Sequence, residues 1–240
     1  MAYNSYKQLW FNPNIEYIFD TNIIEYDIAD AGFSIIKEYQ LLPRQKIIEL
    51  KMLGKGMERH IAIGKLQGSD KIFSSKFTEK FAEIRSVFVN SNGLTDNDIL
   101  SVKKDAIFTT KKCYKVEFGN IRFVEKNVYS SYVRFPNINN IEIYYSNDLL
   151  DIKNIGESSA NKHRLFMLDT IKSIISMIEN KDQRVKRFIN DFIKKYKSHQ
   201  LDDEYYIKFD PASKDMDLLF NYKNIIIPLA IIVCKEVPYE

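Results

Sequence analysis

The strongest constraint on the fold is a change of periodicity early in the chain. Apolar and polar residues alternate over residues 23–28, which predicts a β-strand packed on one or both faces. After Asp30 the apolar residues, beginning with Phe33, recur at helical spacing instead. A strand that ends in an acidic residue fixes the carboxylate, and the turn into a helix leaves room for a ligand. Asp27 is therefore a candidate metal ligand.

A second acidic residue lies in a similar setting. Asp105 is surrounded by strand-like residues over 98–110, and further strand-like runs follow at 113–118 and 121–124. Two acids on neighbouring strands can share one or two Mg²⁺ ions. Two-metal sites clamp the attacking and leaving oxygens of a phosphoryl transfer, so this pair predicts such chemistry.

The first segment resembles motif A of family B DNA polymerases, whose pattern is roughly D-x-x-S-L-Y-P-S-I-I. Asp27 matches the Asp of the motif, Phe33 stands at the Pro position, and residues 34–36 complete the match with Ser-Ile-Ile. Residues 30–32 depart from the Ser-Leu-Tyr core of the motif.

The second segment resembles motif C of the same family, D-T-D-S-I-F-V. Asp105, Ile107 and Phe108 match the second Asp and the apolar tail. Lys103 stands in place of the first Asp and Lys104 in place of the Thr. Between the two segments, residues 90–93 are faintly similar to motif B, with Arg85 near its basic residue, so the order A, B, C is that of the family.

The resemblance implies an α+β fold with an antiparallel, palm-like sheet, helices on one side of it and a helical C-terminal subdomain. It implies a palm-like region over 1–147, a fingers-like insertion at about 43–92 and a thumb-like region over 148–240. The implied activity is that of a nucleic-acid polymerase or nucleotidyltransferase, with DNA favoured over RNA as the partner. Two catalytic and metal-binding residues would hold Mg²⁺, and two cations would neutralise a nucleotide triphosphate. In this sequence the catalytic and metal-binding residues are Asp27 and Asp105. The cations that would bind the nucleotide are Lys80 and Arg85.

Simpler interpretations of the same residues remain open. Asp27 or Asp30 can cap the helix that follows, because a side-chain carboxylate accepts the free N–H groups of a first turn. Asp105 can pair with a neighbouring lysine, which is Lys103, Lys104 or Lys111. A cation at a metal site displaces metal, so Lys103 also favours a non-catalytic binding or assembly subunit that works with other protein subunits. A nuclease is a third hypothesis, with Glu25, Asp30 and Glu117 as further acids.

The most basic part of the chain is a predicted amphipathic helix at about residues 181–197, in which bases outnumber acids. A cationic stripe on such a helix can follow a phosphate backbone. Alternatively, the acids at 202–204 neutralise it within the fold. The candidate nucleic-acid-binding residues are Arg184, Lys186, Arg187, Lys194 and Lys195.

Composition excludes several classes of protein. The chain has 240 residues, 45% of them hydrophobic, and a net charge of +3, as expected of a globular protein with a sizeable core. Its two cysteines are far apart, and neither has the spacing of a zinc site or a disulfide framework. The apolar run at 225–234 is too short to span a bilayer. We therefore expect a cytoplasmic protein. The frequent Ile, Asn, Lys and Tyr predict an AT-rich genome, that of a phage or of a low-GC bacterium.

Overall fold

The computed structural model describes residues 9–136, 140–147, 149–154, 170–202 and 226–237. The chain forms two compact units. Unit 1 comprises Met1–Ile15 and Ile23–Val128, and unit 2 comprises Glu16–Asn22 and Tyr129–Glu240. The sequence suggested a division near residue 147, whereas the units divide at 128/129, and four strands group with the C-terminal helices.

Unit 1 is built on a six-stranded sheet with the strand order β1-β4-β5-β3-β7-β6. The pairings of β1 with β4, β4 with β5, β5 with β3 and β6 with β7 are antiparallel. The strands are β1 (Leu9–Phe11), β3 (Ile23–Ile28), β4 (Ile99–Lys103), β5 (Ala106–Thr109), β6 (Glu117–Phe118) and β7 (Ile121–Tyr129).

Four helices connect β3 to β4: α1 (Ala31–Glu38), α2 (Arg44–Met52), α3 (Met57–Ser69) and α4 (Lys71–Ser91). The longest, α4, begins at Asp70, whose carboxylate accepts the backbone N–H of Phe73 at 2.9 Å. This is the N-cap role that short polar side chains favour. The helix ends before Gly93, which has a positive φ of 57° and so suits the left-handed conformation common after helices.

The alternation along β3 determines which of its side chains face the apolar core of unit 1. Ile24, Tyr26 and Ile28 point into a core that they share with α4, where Phe88 stacks on Phe123 with ring centroids 4.1 Å apart. Successive side chains of a strand point to opposite faces, so the two acids of β3 lie on the other face. The amphipathic period therefore builds the core and separates it from the acidic side chains.

Unit 2 has a four-stranded sheet in the order β10-β9-β8-β2 with antiparallel pairing. Its strands are β2 (Tyr17–Ile18), β8 (Ser131–Phe135), β9 (Ile141–Ser146) and β10 (Leu149–Lys153). Its helices are α5 (Lys172–Glu179), α6 (Arg184–Lys197) and α7 (Ile227–Glu236). Apolar side chains of β8 and β9, such as Val133 and Ile143, form one core with all three helices.

The predicted α+β class with antiparallel sheets and a C-terminal helical part is confirmed. The prediction of a single sheet is wrong, because β2 and β3 belong to different sheets. The sequence pattern did not predict β1 or β10. It indicates separate strands at 121–124 and 128–133, where the structure has β7 and β8. Apolar residues at 165, 168, 171, 175 and 178 recur at helical spacing, which predicts a helix whose first turns lie outside the described residues.

Candidate functional site

Asp27 and Asp105 are neighbours in unit 1. Asp27 is opposite Ala106 in the β3–β5 pairing, and the backbone N–H of Ile28 donates to the carbonyl of Asp105 at 3.1 Å. Lys104 and Asp105 form the tight turn between β4 and β5, and Lys104 has a positive φ of 38°. The turn therefore presents Asp105 beside the end of β3.

Both aspartates line one cleft of about 470 Å³. The end of β3, the start of α1, the β4–β5 turn and helices α3 and α4 form its walls. The polar side chains in its lining are Asp27, Asp30, His60, Gln67, Lys104 and Asp105. Two rings of α4, those of Phe77 and Phe81, supply apolar lining. The cleft thus combines acidic groups with an apolar wall, as ligand sites commonly do.

The surroundings of Asp27 disfavour its ionised form. Burial raises the pKa of its carboxyl group above 3.8, and the negative charges of Asp105 and Glu25 raise it further, whereas Lys126 opposes the shift. Its Oδ1 atom is buried and accepts no hydrogen bond from the described residues. A carboxylate held in this way, near a second one, is the kind of group that a cation stabilises.

Lys126 of β7 forms an ion pair with Asp27. Its Nζ lies 3.1 Å from Oδ2 of Asp27 and 3.8 Å from Oε1 of Glu25. Burial works against its charge, but the hydrogen bond to Asp27 and the nearby carboxylates outweigh this and raise the pKa of Lys126. Glu25, which is buried, also accepts a hydrogen bond from Nδ2 of Asn127 at 2.7 Å.

Asp30 occupies the N-cap position of α1 with a φ of 50°, but its side chain makes no capping hydrogen bond. Its carboxylate instead forms an ion pair with the buried guanidinium of Arg59. That guanidinium also lies 4.3 Å from the centroid of the Phe33 ring. Asp30 therefore links α3 to the start of α1. Neither Asp27 nor Asp30 caps α1 with its side chain, so the simpler interpretation of these residues as helix caps is not supported.

Two of the three lysines proposed as simple partners of Asp105 have other contacts, and the third, Lys104, lines the cleft with Asp105. Nζ of Lys103 lies 5.5 Å from the centroid of the Phe11 ring. Nζ of Lys111 donates to the carbonyl of Gly93 at 2.9 Å. Glu117, suggested as a nuclease acid, is at the edge strand β6 and pairs with Arg122 at 3.9 Å. It does not line the cleft.

The two cations predicted to meet a nucleotide are both engaged within unit 1. Nζ of Lys80 pairs with Glu83 at 2.5 Å and lies 4.9 Å from the centroid of the Tyr39 ring. Arg85 is fully buried and donates from a terminal nitrogen to the carbonyl of Lys104 at 2.5 Å. Arg85 thus supports the turn that carries Asp105, and neither residue lines the cleft.

Sequence reasoning missed the contribution of α3. His60, Gly64 and Gln67 are spaced by four and three residues, so they share one face of that helix, and all three line the cleft. The spacing was visible in the sequence, but α3 has a weak apolar pattern. Lys126 was also missed as a partner of Asp27, because only the pairing of distant strands brings it there.

The basic helix α6 lies in unit 2. Arg184 and Arg187 have side chains 83% and 88% exposed, and Lys194 and Lys195 are exposed on the same stripe. Asp182 binds the guanidinium of Arg184 at 2.7 Å. The Nζ atom of Lys186 is buried, so Lys186 does not belong to the exposed stripe. The other four predicted residues do.

Within the described ranges, no group of three or more His, Cys, Asp or Glu side chains is arranged to hold a metal ion. The candidate site is therefore a pair of carboxylates. In that same part of the chain, no helix is both long and apolar enough to cross a bilayer.

The chain matches the family model described as the bacteriophage PBS1 gene 130 protein over residues 1–226. It belongs to this family. Membership in the PBS1 gene 130 family agrees with a phage origin, one of the two sources that the composition predicted. A comparison with curated proteins gives no match. Because a family or fold does not fix an activity, the function of this member of the PBS1 gene 130 family has to be argued from its site.

Proposed function

We propose that the protein is a polymerase-like nucleotidyltransferase in which Asp27 and Asp105 hold Mg²⁺. The observation that carries the proposal is that the two acids of the motif A-like and motif C-like segments line one cleft. A strand end supplies one acid and a tight turn on the next strand supplies the other. Both are rigid elements, as a catalytic metal site requires.

The residues present suit magnesium better than a metal that needs a full protein cage. Mg²⁺ keeps several water ligands and is commonly bound through one or two carboxylates together with substrate phosphates. Oδ1 of Asp27, which has no hydrogen-bond partner in the described part of the chain, supplies one oxygen donor, and Asp105 supplies others. A bound nucleotide triphosphate would complete the coordination.

When bound, Mg²⁺ would supply charge neutralisation for the transferring phosphoryl group. The protein itself would position the metal ligands, bind the nucleotide and exclude water. Arg85 holds the β4–β5 turn through the Lys104 carbonyl and so positions Asp105. His60 and Gln67 offer hydrogen-bonding groups from α3 to a ligand in the cleft. Phe77 and Phe81 exclude water from one wall.

Nucleic acid is the proposed second ligand, bound through α6. The supporting observation is the exposed stripe of Arg184, Arg187, Lys194 and Lys195, interrupted by the acid Asp191, whose Oδ2 lies 3.7 Å from Nε of Arg187. Phosphate contacts by such side chains give affinity without sequence preference.

The metal site is tested by Asp27→Asn and Asp105→Asn. Each variant should lose Mn²⁺ or Mg²⁺ binding by calorimetry and lose Mg²⁺-dependent nucleotide incorporation on a primed template, while circular dichroism stays unchanged. Asp151→Asn is the matched control, since Asp151 lies in unit 2 and pairs with Lys153 at 2.6 Å. Ion binding and incorporation that survive in both cleft variants would refute the assignment.

The nucleic-acid surface is tested by reversing Arg187, Lys194 and Lys195 to Glu. Affinity for single-stranded or duplex DNA should fall. The slope of log K against log salt should also shrink by about 0.7 to 0.9 for each phosphate that the variant no longer binds. A triple reversal of exposed lysines in α2, in α3 and in the segment between them is the control, at Lys51, Lys65 and Lys55. No binding by the unaltered protein at low salt would refute this part of the proposal.

A non-catalytic binding or assembly subunit is the second candidate, and the ammonium of Lys126 beside Asp27 favours it. A permanent ion pair with Lys126 can neutralise Asp27 without any metal ion. The cleft would then stabilise the fold and bind no metal. This candidate predicts DNA binding without any incorporation, and no Mn²⁺ binding in the unaltered protein. The two functions therefore differ in the result of a single calorimetric titration.

A further inference from the structure

Asp27, an acid of the cleft, and its strand neighbour Glu25 share one cation, the ammonium of Lys126. Nζ of Lys126 is 3.1 Å from Oδ2 of Asp27 and 3.8 Å from Oε1 of Glu25. These distances are those of an ion pair with the first acid and a weaker one with the second. Lys126 comes from β7, which neighbours β3 in the sheet, so its position follows from strand order.

The pairing divides the oxygens of Asp27 between two uses. Oδ2 accepts a hydrogen bond from Lys126, and Oδ1 has no hydrogen-bond partner among the described residues. A two-metal site needs a carboxylate that bridges ions roughly 3.5–4 Å apart. Because Oδ2 of Asp27 is held by the ammonium of Lys126, only Oδ1 is left for a metal ion. Asp27 can therefore bridge the ammonium and one metal ion, but not two metal ions.

The charges point in the same direction. Asp27, Asp105 and Glu25 carry at most three negative charges, and Lys126 offsets one of them. A second dication would have to bind next to a positive ammonium, and like charges at such distances repel each other strongly in a partly buried site. Lys104, which also lines the cleft, adds another positive charge.

We propose that the cleft is a one-metal site in which the ammonium of Lys126 takes the place of the second metal ion. This inference rests on the proposed function, because it presumes that Asp27 and Asp105 bind a divalent ion. It assigns Lys126 a positioning role: the lysine orients Asp27 and supplies a fixed positive charge, and it does not contact the reacting atoms.

The test is the stoichiometry of Mn²⁺ binding, measured by calorimetry and by electron paramagnetic resonance in the full-length protein. The unaltered protein should bind one ion in the cleft. Lys126→Gln should bind either a second ion or the first ion about tenfold more tightly, a change of about 1.4 kcal/mol. Lys126→Arg keeps the charge and should retain the stoichiometry and affinity of the unaltered protein.

Lys112→Gln is the matched control. Nζ of Lys112 pairs with Glu125 at 3.7 Å, so this variant removes one positive charge from unit 1 without removing a partner of Asp27. It should leave Mn²⁺ binding unchanged. Two ions bound by the unaltered protein, or equal binding by the Lys126→Gln and unaltered proteins, would overturn the inference. If the Asp27→Asn and Asp105→Asn variants bind Mn²⁺ normally, the proposed function itself fails, which is a separate outcome.

Discussion

The turn between β6 and β7 offers a sharp test of the packing in unit 1. Gly119 has a φ of 61°, and a methyl group built there would overlap with the carboxylate of Glu38. Oε2 of Glu38 accepts hydrogen bonds from the backbone N–H of Asn120 at 2.6 Å and from its Nδ2 at 2.8 Å. Gly119→Ala should therefore strain the backbone and expel the Glu38 carboxylate.

The expected cost has two parts. An L-residue other than glycine in the left-handed region costs about 1 kcal/mol. Loss of the hydrogen bonds between Glu38 and Asn120 adds about 1 kcal/mol, a low value because these bonds are exposed. We expect Gly119→Ala to lower the free energy of unfolding by about 2 kcal/mol in total.

Gly93→Ala is the matched control. Its φ of 57° is nearly the same, but an added methyl group would meet only Nζ of Lys111, at 3.9 Å. This variant should lose only the backbone part, about 1 kcal/mol. In a Glu38→Ala background, where no carboxylate is left to expel, Gly119→Ala should cost no more than Gly93→Ala does.

The measurement is urea unfolding followed by the fluorescence of Trp10. Trp10 is the single tryptophan and is buried in the core of unit 1, so its emission reports on that unit. Equal costs for Gly119→Ala and Gly93→Ala would refute the reasoning. So would an excess cost of Gly119→Ala that persists after Glu38 is removed, since the clash would then not involve its carboxylate.

Three further predictions concern the same unit and use the same unfolding assay. Because the pKa of Asp27 is raised above 3.8, its protonated form stabilises the fold, and this contribution is lost as pH rises through the folded-state pKa. Asp27→Asn should therefore gain stability relative to the unaltered protein between acidic and neutral pH, and a constant difference would contradict this. Phe88→Ala should cost about 3–5 kcal/mol, because the ring is fully buried, and Phe88→Leu should cost clearly less. Tyr26→Phe should cost about 1–3 kcal/mol, since the buried N–H of Cys113 loses its acceptor at 2.8 Å; an unchanged midpoint would show that another group accepts it.

Local patterns predicted the elements on which the candidate site is built. The alternation over 23–28 and the helical spacing after Asp30 gave β3 and α1 nearly at their observed bounds. Phe73, Phe77 and Phe81 recur at helical spacing, which predicts α4, and Asp70 stands before them as a residue type that caps helices. These features depend on side-chain period and on hydrogen bonds within a few residues, so they can be recognised in the sequence alone.

The partners of each side chain depended on contacts between distant segments. Arg85 appeared to be an available cation in the sequence, but the packing of α4 under the β4–β5 turn buries it against the carbonyl of Lys104. Lys186 likewise belongs to a basic helix, but its Nζ is buried. Helical period separates the two faces of a helix, whereas burial of a particular long side chain depends on what packs beside it.

The sequence by itself determined the α+β class and the pair of acids, Asp27 and Asp105, since both follow from residue type and local period. Only the tertiary structure decided that β2 and β3 belong to different sheets and that Lys126 neutralises Asp27. The physical reason is that strand pairing joins residues far apart in the chain: Nζ of Lys126 reaches an acid 99 residues away. No short-range pattern encodes that contact, and the charge balance of the cleft depends on it.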